Sequence, residues 1–367
     1  MTETPGAAAP GVAAASGVVR PFAPLLVRPA AAPSAVTPLA ETATVLATGP
    51  PPVDVDAYER VGPGLFVYRQ RARTGDHVGV VCDIRADAFV DGIVLGHESV
   101  RPDRVEGLAQ HLVSGARRVD LVSTLHRSGP LLRQALVDVP HTPPVLEFIG
   151  ADGLEQALWH LPAGPDTARL CEELGAATHY IADGHHRVAA NLEVWRRDGQ
   201  PAEAGVLCVA YPVNGLTLSA FDRRVAGPVD PERVRDLLAE DFDLREVRDA
   251  AEASAAGVGV YLGRTWYAVS FTGRRPSGAA GLDVSLLHER VLAPLTEGSD
   301  GRALEIAPAR TSLEPLIDAC HHDGGVLFAL TAPRVDALIE LADAGEVVPA
   351  KTTYFEPKPA SGLFLRG

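Results

Sequence analysis

The sequence predicts a mixed α/β, or α+β, fold built as a single interlocked body, and three observations predict it. Thr178 to Ala182 reads as a short buried strand, Asp183-Gly184 as a turn, and Val188 to Arg197 as a helix with Val188, Leu192 and Trp195 at helical spacing. Gly205 to Tyr211 then reads as another strand, so the centre has a strand–helix–strand succession and an α/β layer. Strand-like and helix-like stretches continue along the chain with no internal repeat, and the 367 residues are 46% hydrophobic and 22% charged, an ordinary globular composition.

Residues 1–18 form an Ala/Gly/Pro-rich stretch without large apolar anchors and are expected to be a disordered tail, with one domain over 19–367. Leu25 to Pro29 fits a first strand, and the Pro- and Ala-rich residues 30–64 are expected to wrap the surface. Gly64 to Gln70, Val78 to Ile84 and Gly92 to Gly96 read as three strands of a hairpin or meander. A helix is expected over Arg101 to Ala116, with Pro102 tolerated in its first turn, and a strand over Val119 to Thr124. Val145 to His160 has hairpin character, and Asp166 to Leu174 is a short helix stopped by Gly175. After the central unit come a strand over Leu216 to Val225, a helix over Asp230 to Glu240, and a hairpin of Val258–Leu262 with Thr265–Phe271 across Gly263-Arg264. Val284 to Leu295 is an amphipathic helix. Helices over Ser312–His321 and Pro333–Asp343 flank the strand Val326–Leu330, and a short Gly-Leu-Phe-Leu strand closes the chain.

The net charge of −14, without a long basic run, argues against nonspecific nucleic-acid or anionic-membrane binding but permits a local positive pocket. Cys82, Cys171, Cys208 and Cys320 lie far apart with no CxxC pair, so a disulfide scaffold or zinc ribbon is not expected. No apolar run is long enough to cross a bilayer, and the N-terminal stretch lacks the features of a signal peptide; a cytoplasmic protein is the expectation.

The chemistry-bearing stretch is Asp183-Gly184-His185-His186-Arg187, placed where a strand hands over to a helix. Free backbone N–H groups and the positive end of the helix dipole gather there, which suits an anion. Gly184 permits close approach of a phosphate or a left-handed backbone, and Arg187 is able to grip two phosphate oxygens. Asp183 is open to several roles: helix cap, holder of a histidine tautomer, metal ligand or proton carrier. Glu98, beside His97 at another strand end, is a candidate base or metal ligand, with Arg101 and Arg104 as anion holders; a helix cap and a solvated charged face describe the same residues equally well. Lys351-Thr352-Thr353-Tyr354, running on to Lys358 between Pro349 and Pro357, is a constrained loop suited to phosphate oxygens or a surface turn with its aromatics tucked inward. Arg223 is a further clamp or the partner of Asp222. His288-Glu289 and His321-His322 read as structural. P-loop, GxGxxG, HExxH and GxSxG patterns are absent.

Tyr180 to Arg187, His97-Glu98 with Arg104, Leu282 to His288, Pro349 to Lys358 and Ser361-Gly-Leu363 together resemble the bacterial domain-of-unknown-function family numbered 1015, from about residue 18 to the end. Arg20-Pro-Phe22 and Gly64–Gln70 fit it too. The Asp-Gly-His-His-Arg element is similar to the phosphate motif of ParB/sulfiredoxin-like proteins, which include free serine kinases, and the resemblance implies a nucleotide-binding core of that kind. It makes Glu98 a candidate base and Gly184, His185, His186 and Arg187 candidate phosphate ligands. The order differs from ParB-type proteins, where the acidic helix motif usually follows the phosphate motif. Pro51-Pro-Val-Asp-Val55 stands where the family has a longer segment, and Asp222-Arg223 where it has His-Arg.

The expectation is therefore a phosphotransferase moving phosphate from ATP or ADP, with Mg²⁺ a candidate ion, to a small hydroxyl substrate such as L-serine. Glu98, Asp183 and His185 would be catalytic. Arg101, Arg104, Gly184, His186, Arg187, Arg223, Lys351, Thr352, Thr353 and Lys358 would hold nucleotide or phosphate. A non-catalytic nucleotide-gated binding protein and a small-molecule phosphatase are the alternatives.

Overall fold

Long apolar strands come first in the construction of this chain, because they set the sheet on which the motif residues are mounted. The computed structural model describes residues 17–39, 42–49, 53–114, 119–255, 257–296, 303–308 and 312–365. β1 (Val19–Arg20), β2 (Leu25–Val27), helices α1 (Ala32–Ala35) and α2 (Thr42–Thr48), and β3 (Tyr58–Arg60) precede the hairpin of β4 (Gly64–Ala72) and β5 (Gly75–Arg85). Then follow β6 (Val94–Leu95), α3 (Pro102–Val113), β7 (Val122–His126), α4 (Pro130–Asp138), β8 (Leu146–Ile149), β9 (Glu155–Pro162), α5 (Pro165–Gly175), β10 (His179–Asp183), α6 (His185–Arg197) and β11 (Gly205–Pro212). Strands β1 and β4 to β11 form one sheet in the order β6-β10-β7-β11-β5-β4-β9-β8, with β1 added to β5, while β2 pairs with β3.

A second, antiparallel sheet grows from the middle of the chain. Its elements are β12 (Thr217–Ser219), β13 (Phe221–Val225), α7 (Pro231–Asp241), β14 (Phe242–Val247), α8 (Ala250–Ser254), β15 (Val258–Leu262), β16 (Thr265–Phe271), α9 (Asp283–Leu287), a π-helical turn over His288–Leu292, α10 (Ala293–Thr296), β17 (Leu304–Pro308), α11 (Glu314–Asp323) and β18 (Val326–Leu330). The sheet runs β14-β16-β15-β18-β13-β17, while β12 stands apart. Finally α12 (Val335–Asp343), β19 (Tyr354–Glu356) and β20 (Phe364–Leu365) bring the chain back: β19 pairs with β12 and β20 with β2. The fold is mixed α+β.

Gly64 to Gln70 of β4 is buried at every position, which happens only when both faces of a sheet are covered. Leu65, Val67, Val80, Cys82 and Ile84 pack with Leu132 and Leu136 of α4, Leu170 and Leu174 of α5, and Val188 and Leu192 of α6. Phe66, Tyr68, Val81, Val209 and Tyr211 pack with Leu338, Ile339 and Leu341 of α12 and with Leu363 to Leu365. All four cysteines are buried free thiols. Among the described residues no helix is long and apolar enough to cross a membrane.

Several expectations need correction. Helix α6 starts at His185, three residues earlier than the apolar spacing indicates, because Gly184 takes a left-handed turn (φ +108°) and lets the helix begin at once. The two strands of the strand–helix–strand centre are not neighbours: β7 lies between β10 and β11, antiparallel to the first and parallel to the second. β6 leaves the β4–β5 hairpin to pair in parallel with β10. The strand expected over Leu216–Val225 breaks at Ala220, since β12 pairs with β19 and β13 with β17 and β18. β7 starts three residues later than expected, while Val119 donates its N–H to the Phe364 carbonyl. Residues 30–64 do more than wrap the surface, as Ala32, Val36 and Tyr58 are core members. Elements α4, β14 and β17 were not anticipated. The expected tail falls largely outside the described residues, but Val18 packs against the core and its carbonyl accepts from the Arg85 N–H at 3.0 Å. Ala116, the expected end of α3, also lies outside the described residues.

One buried acid on β13 gives the fold a pH signature. Asp222 is 2% exposed; its Oδ1 accepts the Leu330 N–H at 3.1 Å, while Oδ2 has no hydrogen-bond partner. Burial raises its pKa from 3.8 to about 6. The folded state therefore keeps this proton to higher pH than the unfolded chain. The contribution is fully present below about pH 4, is lost as pH rises to about 6, and stays lost above. Asp222→Asn should remove a penalty of up to roughly 3 kcal/mol at pH 7, with the difference from wild type vanishing toward pH 4. Urea midpoints measured from pH 4 to 8 on both chains read this directly, and parallel curves would contradict it.

Candidate functional site

The cleft is assembled from three parts of the chain. β6 and the start of α3 bring Glu98, Arg101 and Arg104; the β10–α6 junction brings Asp183 to Arg187; the returning segment brings Lys351, Thr353, Tyr354 and Lys358. Phe221 and Ile306 of the second sheet and Leu39 complete the wall. The cavity measures about 360 Å³, within the usual range for a small-molecule site.

The local backbone explains the placement. Gly184 is the N-cap of α6, so His185 and His186 occupy the first turn, and a Cβ on Gly184 would stand 3.0 Å from the Arg187 guanidinium. Glu98 bridges in parallel to Val348, whose N–H donates to the His97 carbonyl at 2.7 Å. His97 is buried one layer behind the cleft. Its Nε2 lies 3.1 Å from the Thr353 hydroxyl, its ring meets His185 edge-on with centroids 4.7 Å apart, and burial lowers its pKa to about 4.

Charges in the cleft are arranged around two carboxylates. Asp183 accepts from Arg187 through Oδ2 and from Lys358 through Oδ1, the latter at 2.9 Å. Burial works to raise its pKa, but Arg187 and Lys358 outweigh it and hold Asp183 below the usual carboxylate range. Glu98 takes the opposite direction: burial raises it, Asp183 adds to the rise, and the Lys351 N–H, 3.5 Å from Oε1, works against it. His185 is pushed well below its ordinary pKa by burial and then by His97; His186 is lowered by burial and then by Arg104 and Arg101. Both shifts favour the neutral imidazole, and each ring accepts a backbone hydrogen bond, His185 from the His97 N–H and His186 from the Arg101 N–H.

Most of the expected residues converge, and three change role. Arg223 is buried and does not line the cleft; it donates to the Phe221 carbonyl at 2.9 Å and to the Lys351 carbonyl at 2.7 Å, bracing the loop from behind. Thr352 is also turned inward, with its hydroxyl donating to the Pro349 carbonyl at 2.6 Å. Arg187 reaches the cleft with its guanidinium already engaged by Asp183 and the Leu121 carbonyl, so it is not an open two-oxygen clamp. Arg101 pairs with Asp103 at 2.7 Å. Asp183 does not suit a metal, as both oxygens face cations, and among the described residues no three His, Cys, Asp or Glu side chains converge as a metal site. Phe221 and Ile306 were not foreseen; nothing local separates them from core residues of a strand. The Lys351 and Lys358 ammoniums stand 5.1 and 5.0 Å over the Phe221 and Tyr354 rings.

A family model described as "Protein of unknown function (DUF1015)" matches residues 59–285, a span that ends before the Lys351–Lys358 segment. Among solved structures, a free serine kinase in complex with AMP aligns at 16% identity over 77% of this chain and 90% of that one, with a TM-score of 0.39. A conserved hypothetical protein from Pyrococcus furiosus aligns at 16% over 76% and 92%, with a TM-score of 0.36. SbnI with a C-terminal truncation, from Staphylococcus aureus, aligns at 14% over 75% and 82%, with a TM-score of 0.40. No curated protein matches the sequence. At these values the structural likeness assigns no role to any residue.

Lys351 has a left-handed backbone, φ +63°, uncommon for a residue with a Cβ. Replacement by glycine keeps the N–H beside Glu98 and suits that φ, whereas alanine loses the same ammonium and keeps the strain. Lys351→Gly should therefore be more stable than Lys351→Ala by roughly 0.5–1 kcal/mol, measured by chemical denaturation; an alanine variant of equal or greater stability would refute the strain.

Proposed function

The chain belongs to the DUF1015 family of proteins of unknown function, and from its cleft we propose a nucleotide-dependent phosphotransferase that moves a phosphoryl group to a small hydroxyl compound. The observation that carries this reading is the juxtaposition of a half-buried acid, Glu98, with an excess of cations. Arg101, Arg104, Arg187, Lys351 and Lys358 line the same cleft as Glu98 and Asp183, in a chain whose net charge is −14.

Phosphoryl transfer asks mainly for positioning and charge stabilisation. Glu98 takes the proton of the acceptor hydroxyl as its oxygen bonds to phosphorus, while the bond from phosphorus to the bridging oxygen breaks and the shortened nucleotide leaves. A raised pKa improves a carboxylate as a base near neutral pH. Arg104, Lys351 and Lys358 face the phosphate oxygens, and Phe221 with Tyr354 offers an aromatic wall, the two rings 5.4 Å apart, for the base of the donor. ATP and ADP are the donors to test, with and without Mg²⁺, and L-serine heads the panel of acceptors. A nucleotide-gated binding protein is the second reading, favoured by Asp183, which already neutralises part of the cationic set.

Phosphorus NMR of the full chain with nucleotide and acceptor separates the readings. Glu98→Gln should lose turnover by about 10²- to 10⁴-fold while keeping nucleotide affinity. Lys358→Ala should weaken nucleotide binding by roughly 1.5–3 kcal/mol. Release of inorganic phosphate without acceptor would identify a phosphatase. A wild-type chain that binds nucleotide but phosphorylates no acceptor in a panel of small hydroxyl compounds would leave the binder.

A further inference from the structure

Glu98 lies in the short link His97–Arg101 between β6 and α3, and both ends of that link are fastened to the same two residues of α6. The His97 N–H donates to His185 Nε2 at 3.3 Å, and the Arg101 N–H donates to His186 Nε2 at 3.0 Å. An imidazole nitrogen that accepts an N–H bond carries no proton, so each ring is neutral with its proton on Nδ1. The lowered pKa of both rings agrees with that state. His185 and His186 are consecutive in the first turn of α6, so the turn at Gly184 sets both acceptors at once.

We propose that His185 and His186 are positioning residues for Glu98: two neutral imidazoles whose Nε2 atoms accept the His97 and Arg101 N–H groups and thereby hold the Glu98 backbone at the cleft. This inference rests on the reading of Glu98 as the base. It departs from the expectation that the pair are phosphate ligands. The Lys351 N–H beside Oε1 and the Val348 bridge complete the support, so the acid is held from the helix on one side and the returning segment on the other. The interval between the two fastened N–H groups contains Glu98 itself, so loss of either acceptor loosens the acid while leaving Arg187, Lys351 and Lys358, which other contacts hold, in place.

Two measurements on the full-length chain test the inference. Nitrogen-15 NMR of the histidine rings at pH 7, without ligand, should find His185 and His186 neutral, protonated at Nδ1 and accepting at Nε2. A protonated Nε2 or an imidazolium at either residue would overturn the proposal. In the kinetic arm, His186→Leu should lower kcat by about tenfold to a hundredfold, the scale of a misplaced catalytic group, with KM for nucleotide within about twofold. His186→Gln, whose Oε1 reaches toward the former Nε2 position, should recover most of the loss. The double variant Glu98→Gln/His186→Leu should be no slower than Glu98→Gln alone, since a residue acting only through Glu98 has nothing further to remove. Multiplied losses in the double variant, a loss confined to KM, or a glutamine variant as slow as the leucine variant would each refute positioning. A wild type without transfer activity would remove the phosphotransferase reading, and the ring tautomers would then decide this inference alone.

Discussion

The Asp183 carboxylate, shared between Arg187 and Lys358, is the contact on which the cleft depends. It closes β10, Arg187 lies one turn along α6, and Lys358 arrives from the far end of the described chain. Side-chain exposures of 20% for Asp183, 14% for Arg187 and 27% for Lys358 place the trio between the surface and the interior. There the attraction is stronger than between exposed ions, and the cost of desolvation is partly avoided. One acid against two cations leaves a positive surplus. The same contact thus ties two walls together and keeps the cleft attractive to anions.

The returning segment is held from below as well. Buried Gln70 donates to the Lys358 carbonyl at 2.9 Å, and Tyr211 donates to Gln70 Oε1 at 3.2 Å. Tyr68 donates to Gln156 Oε1 at 2.6 Å and its oxygen accepts the Ala360 N–H at 3.3 Å. Polar groups on buried strands are costly unless satisfied, and here they satisfy both one another and an irregular backbone that a sheet would not otherwise hold. Arg223 plays the same part at Lys351. The polar side chains within the apolar strands therefore fix where Lys351 and Lys358 stand.

How much of this was legible in the sequence follows from the range of the forces involved. The β10–α6 junction was readable because apolar periodicity and an Asp-Gly turn are local signals, and Glu98 was readable because an acid at a strand end is conspicuous. The start of α6 was misplaced by three residues, since the apolar spacing begins only at Val188 while the helix begins at the first residue able to follow Gly184. Arg223 was read as a clamp because its burial depends on β17 and β18 pairing on either side of β13, which no local pattern encodes. The charge state of the two histidines was also out of reach, as it depends on N–H groups about 85 positions earlier in the chain.

That the cleft draws on residues so far apart has a consequence for its biosynthesis. Glu98 and Asp183 leave the ribosome long before Lys358, which follows Asp183 by roughly ten to thirty seconds at the usual pace of translation. During that interval Asp183 has only Arg187 of this pair to neutralise it, and the nascent chain lacks Lys351, Tyr354 and Lys358, which complete the wall. An anion in the surrounding solution therefore meets no finished cleft on a growing chain. Ligand binding stabilises the product of synthesis and not its intermediates, so the nascent chain must reach the returning segment on the strength of its own core.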